Sequence, residues 1–215
     1  MSTDRLLSVE EARAAVFAAI GGPTPVETAW LPEARGRVAA EAVVSPIDLP
    51  PWDNSAMDGY AIRSADTAGA TEDAPVRLAI VGEVPAGRAA GLTVDPGQAL
   101  RIATGAPVPV GADAVVPVEQ TTPLDAAGVA GARGRDAAGP LPEACLVHLE
   151  VPPGGSIRVA GSDVRAGARI AVAGAVVTPA VVALAAGSGT SQLVVRRRPV
   201  VAVLATGDEV RGPGE

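Results

Sequence analysis

The sequence predicts an α+β, multidomain protein in which a β-rich domain is inserted into a domain of helix and strand. Three observations carry this: one strong helix signal near the N-terminus, a middle stretch of short apolar segments broken by Gly and Pro, and a late apolar run of the kind parallel sheets bury. With 215 residues, 48% of them apolar, the chain can form one large or two small domains around a real core.

The elements follow in order. Ser8-Val9-Glu10-Glu11 has capping-box spacing, and Ala12, Ala15, Val16, Ala19 and Ile20 share one helical face before Gly21-Gly22 ends it. Small and β-branched residues dominate from Val38 to Ile47. The segments RLAIVGEV (77–84), QALRIAT (98–104), DAVVPVEQ (113–120) and EACLVHLEV (143–151), bounded by Gly and Pro, read as strands. Residues 124–142 are rich in Ala and Gly without periodicity and read as a flexible surface loop. Residues 170–187 carry no charge over eighteen positions. Thr178 as N-cap, Pro179 in the first turn and Gly187 as a stop divide them into a strand, a turn and a short buried helix rather than a membrane span. Val200 to Ala205, VVAVLA, is continuously apolar, as expected of a parallel strand covered on both faces. TGDEV follows, where open α/β sheets bind ligands. The domains expected are 1–47 with 148–180, an inserted β-rich domain 48–147, and an incomplete α/β domain from 181 to 215.

Composition excludes several classes of function. Net charge is −7, and all 17 basic residues are arginine, with Arg196-Arg197-Arg198 the longest run. An acidic chain without a basic stripe argues against a nucleic-acid partner. One cysteine, Cys145, and one histidine, His148, leave no internal disulfide and no Cys/His zinc site or nucleophile pair. A reducing, cytoplasmic setting is expected, without membrane contact. MSTDRLLSVEEAR has acids where a secretory signal needs an apolar core.

Four loops hold candidate site residues. In DNSAMDGY (53–60), Asp53, Asn54 and Ser55 are read as capping a short helical turn that Gly59 reverses. Trp52 and Tyr60 pin it to the core. The stretch is either that turn alone or a turn presenting Asp58 to a cleft. In RIATGAPVPVGADAVV (101–116), Thr104-Gly105-Ala106 ends a strand, and the small residues either let a ligand approach the backbone or simply form a rigid loop. Gly161-Ser162-Asp163 fits a turn former as well as a site, whereas Thr206 to Glu209 hold the position after a buried strand. Together Asp58, Asp163, Asp208 and Glu209 point to carboxylate chemistry with a hard divalent ion such as Mg²⁺.

In this order, DLPPWDNSAMDGYAIR, PAGRAAGL with PGQALRIATGAPVPVGADAVVPVEQT, GSDVRAG, and VVAVLATGDEV with PGE resemble the MoeA-type molybdopterin molybdenumtransferases, a family that includes the E domain of gephyrin. The resemblance implies an elongated homodimer of four-domain subunits, with a molybdopterin-binding α/β domain third. It also implies the last step of molybdenum cofactor synthesis. Adenylylated molybdopterin, supplied by a molybdopterin adenylyltransferase, is hydrolysed with Mg²⁺ present, molybdate is inserted, and AMP leaves. By position it implies catalytic roles for Asp58, Thr104, Asp163 and Glu209, and substrate binding by Asn54, Ser55, Gly105, Thr206, Gly207 and Asp208. The alternative is a non-catalytic scaffold on the same fold. Mg²⁺, Arg and backbone N–H groups must offset the anions, since the chain has no lysine.

Overall fold

The computed structural model describes residues 6–87, 91–134, 139–204, 207, 209, 211, 212 and 214. Among them are helices α1 (Val9–Ala19), α2 (Leu31–Ala34) and α3 (Pro179–Gly187). The strands are β1 (Val26–Trp30), β2 (Val43–Val44), β3 (Asn54–Ser55), β4 (Gly59–Ile62), β5 (Val76–Val84), β6 (Gln98–Ile102), β7 (Ala114–Pro117), β8 (Thr121–Leu124), β9 (Ala144–Val147), β10 (Ile157–Arg158), β11 (Arg169–Ala171) and β12 (Gln192–Arg196). The fold is mixed and strand-rich. Two compact units divide the chain: an inner one, Ser45–Ala168, and an outer one made of Met1–Val44 with Arg169–Glu215.

In the inner unit six strands form one sheet in the order β7-β4-β6-β5-β9-β8. Neighbours run antiparallel except β5 and β6, which are parallel. Strand residues alternate between faces. Tyr60 and Ile62 therefore join Leu78, Val116 and Val147 in one cluster, while Ala61 joins Val84, Leu100 and Val115 in another. With apolar residues on both faces, β4 is buried at every position. Its first residue is glycine because the β7 backbone passes so close that a Cβ would strike the Val116 carbonyl. β4 pairs with β6 so that Gly59 faces Ile102. This register sets Asp58, just before β4, and Thr104, just after β6, at the same end of the sheet.

In the outer unit β1 pairs with β12 and β2 with β11, both antiparallel. Their inward residues, with α2 and α3, enclose a core that includes Ala29, Leu31, Ala34, Val177, Val181, Leu193 and Val195. Thr178 Oγ1 accepts from Val181 N at 3.3 Å, so the uncharged stretch does split into strand, turn and capped helix. Among the described residues no helix is long and apolar enough to cross a membrane.

The structure adds to the sequence reading or departs from it at several places. The unit boundaries fall at 44/45 and 168/169, so residues 148–168 lie with the inner unit, while α3 and β12 lie with the outer one. β12 is claimed by its ladder to β1, a pairing that no local pattern announces. α1 has its capping box, with Ser8 Oγ accepting from Glu11 N at 3.1 Å and Glu11 Oε2 from Ser8 N at 2.8 Å, yet none of its residues is buried. Residues 200–204 form no strand and are exposed; they have no ladder partner among the described residues, and a strand exists only with one. In the Ala/Gly-rich loop, Asp125 Oδ1 accepts from Ala127 N and Val129 N at 2.9 and 2.8 Å, and Arg133 forms a bidentate pair with Glu72 at 2.7 and 2.8 Å. The described part of that loop is therefore a fastened turn.

Candidate functional site

The stretch 53–59 is not a capped helical turn. Asn54 and Ser55 form β3, paired with Ile157 and Arg158 of β10, and the chain then bends through Asp58. Backbone hydrogen bonds tie it to the 103–108 loop: Gly105 N donates to Ser55 O at 2.8 Å, Ser55 N to Ala106 O at 3.0 Å, and Val108 N to Asp53 O at 3.0 Å. The close approach is possible because Gly105 takes φ +81°, which other residues rarely adopt. Asp53 caps nothing helical; its Oδ1 accepts from Ala160 N at 2.7 Å and fastens the 159–163 turn instead. Of the two aromatics, Tyr60 is buried and anchors the stretch, whereas Trp52 is about half exposed.

On this frame two predicted residues meet. Asp58 Oδ1 accepts from Thr104 N at 2.7 Å and from Thr104 Oγ1 at 2.8 Å. The backbone N–H of Thr104, and then its hydroxyl, hold the Asp58 carboxyl below the usual carboxylate range. Oδ2 makes no hydrogen bond among the described residues, and the side chain is exposed. An ionised carboxylate is thus fixed by one oxygen while the other stays open to a ligand.

The other predicted residues divide. Ser55 is buried, its Oγ donating to Met57 O at 2.5 Å, so it shapes the bend. Asn54 is also buried, and its Oδ1 has no hydrogen-bond partner among the described residues. Asp163 is paired with Arg158 at 2.6 Å, a partner the sequence reading missed. The signal for it was only a five-residue separation across a turn. Arg158 sits opposite Asn54 in the ladder, so the pair starts from the strand beside β3. Glu209 and Gly207 lie in the outer unit, and both are exposed. Thr206 and Asp208 lie outside the described residues. No group of three or more His, Cys, Asp or Glu fit to hold a metal occurs among the described residues.

Residues 7–189 match the family model described as the MoeA N-terminal region (domain I and II). The chain belongs to the MoeA family. Molybdopterin molybdenumtransferase 2 of Mycobacterium tuberculosis (strain ATCC 25618 / H37Rv) is 43% identical over 207 residues, covering 96% of this chain and 47% of that protein. Molybdopterin molybdenumtransferase of Synechococcus elongatus is 38% identical over 189 residues, covering 87% and 43%. The crystal structure of the molybdopterin biosynthesis moeA protein from Pyrococcus horikoshii OT3 matches with a TM-score of 0.76 at 33% identity, over 98% of this chain and 52% of that one. This MoeA-family chain spans about half the length of the relatives it matches.

Proposed function

We propose that the chain is the N-terminal part of a molybdopterin molybdenumtransferase, which hydrolyses adenylylated molybdopterin, inserts molybdate and releases AMP. The observation that carries the reading is the Asp58 carboxylate, ionised and fixed on one side by Thr104, within a chain of this family. A carboxylate whose pKa is depressed is a weak base at neutral pH. Asp58 therefore orients a water or holds a cation beside the phosphates rather than removing a proton. Mg²⁺ fits this arrangement because it takes one or two carboxylates and completes its shell with water and ligand oxygens. Asp58 Oδ2 would hold it, and the ion would neutralise phosphate charge.

The remaining roles follow from position. Thr104 keeps Asp58 ionised and in place. Gly105 offers an exposed backbone at the same loop pair, the buried Asn54 shapes the strand beneath it, and Asp163 contributes a carboxylate held by Arg158. Glu209, with Thr206, Gly207 and Asp208, completes the reading from the α/β side. We take the β-rich domain as inserted into a linker domain formed by the segments that flank it, with residues 181–215 opening the molybdopterin-binding domain. The working form in this reading is a cytoplasmic homodimer served by a molybdopterin adenylyltransferase. The exposed apolar side chains of α1, Val16 and Phe17 among them, with Ile20 just beyond its end, support a partner surface.

The experiment uses the full-length protein. Asp58→Asn and Glu209→Gln are each expected to lower AMP release from adenylylated molybdopterin at least about a hundredfold, with little change in melting temperature. Asp53→Ala is the contrasting variant: losing the acceptor for Ala160 N should cost about 1 kcal/mol of stability and little of the rate. If the Asp58 and Glu209 variants turn over like the parent, the scaffold reading replaces the catalytic one.

A further inference from the structure

The outer unit holds a concentration of positive charge that the chemistry above does not use. Arg37, Arg196, Arg197 and Arg198 line one cavity of about 170 Å³, with Thr24 and Gly36 in its wall. Arg37 is almost fully buried, its Nε and Nη2 donating to Arg196 O at 3.1 and 2.7 Å, and Nη2 also pairing with Glu27. Arg196 Nη1 donates to Thr24 O at 3.1 Å. Arg197 Nε lies 3.6 Å from Glu27 Oε2, and Arg198 has no hydrogen-bond or ion-pair partner among the described residues. Four guanidinium groups thus line one cavity, and Glu27 is the only carboxylate paired with any of them among the described residues, reaching Arg37 and Arg197, in a chain whose net charge is −7.

Such a cluster is repulsive unless an anion completes it. Backbone carbonyls and Glu27 fix the inner guanidiniums, while N–H donors on Arg37 Nη1 and Arg196 Nη2 remain unused among the described contacts. Gly36, at φ +76°, meets nothing within 4 Å of where a Cβ would stand, so the wall beside the arginines stays open. Guanidinium forks match the oxygens of a tetrahedral anion, and two or more converging forks discriminate it from a spherical halide. The volume suits one such anion with its waters and is too small for a length of peptide.

We propose that this cavity binds a phosphate-type oxyanion, either free phosphate or the phosphate of a small monoester. The proposal does not depend on the molybdenumtransferase reading, since it concerns other residues and is read by binding alone.

The test is calorimetric titration of the 215-residue chain with inorganic phosphate and, separately, ribose 5-phosphate, against chloride at matched ionic strength. Arg198→Gln and the double variant Arg197→Gln/Arg198→Gln remove exposed cavity charges and are expected to weaken binding about tenfold per arginine. Arg13→Gln/Arg35→Gln changes net charge by the same amount outside the cavity and should bind like the parent. A response to either phosphate species that is lost in the cavity variants alone supports the site, and the stronger responder identifies the form it takes. Equal binding by cavity and control variants, or a phosphate response no larger than that of chloride, overturns it. Melting of each variant without anion, expected to match the parent, separates lost binding from lost folding.

Discussion

Asp58 owes its chemistry to a neighbour 46 positions away in sequence. Two donors from Thr104 favour its charged form, so protonation must break contacts that folding made. The group's folded pKa lies below its ordinary value of about 3.8, which fixes the sign. The stabilisation is fully present above that ordinary value and is lost as pH falls through the lower, folded one. The Thr104 amide resonance, followed by NMR, should hold constant from neutral pH to about 4 and move only below it. In Asp58→Asn that titration should vanish; a Thr104 shift centred near neutrality would contradict the assignment. At this scale the sequence shows which residue types are at hand, but not that two loops meet. Asp58 and Thr104 each stand out on a loop of their own, and neither spacing nor periodicity places one beside the other. Arg158, the partner of Asp163, lay hidden for a related reason: a surface arginine near a turn has many equally plausible destinations.

Elements explain how that meeting is enforced. β4 must lie between β6 and β7 in one register, and Gly59 is where the packing is tightest, with no room for a Cβ against the Val116 carbonyl. Gly59→Ala is therefore expected to cost about 3 kcal/mol in a urea unfolding curve, the upper end of ordinary overpacking. It should also disturb the Asp58–Thr104 contact, because it shifts the strand that carries Asp58. A melt like the parent's would refute the close approach. The inner strands were legible since Gly and Pro mark their ends and apolar residues fill them. β1 and β12 were not legible, because VETAW and QLVVR bury only one and two residues respectively and their pairing is long-range. α1 was legible as a helix from its capping box, but a stripe of apolar residues does not say what will cover it. VVAVLA shows the same limit from the other side, since apolar continuity signals a buried strand only where neighbouring strands exist to bury it.

For the whole molecule, the inner unit has its own sheet with apolar clusters on both faces and comes from one unbroken segment. A fragment of residues 45–168 is expected to fold alone, with a cooperative melt and a strand-dominated circular dichroism spectrum. A molten fragment would refute this. The outer unit cannot do the same from residues 1–44, because its β1 ladder is completed only by β12, residues 192–196. The two ends of the inner unit are joined by hydrogen bonds, Ser45 N to Ala168 O at 2.9 Å and Gly167 N to Ser45 O at 2.8 Å. This junction governs the order of folding. Before it forms, β1 must find β12 across a chain closure whose entropic cost grows with length. Once it forms, the intervening segment no longer counts, and Val44 and Arg169 are delivered side by side as if joined by a short turn. Folding of the inner unit should therefore precede and accelerate the outer one, so that a destabilising change in β4 slows the appearance of a ladder it never touches.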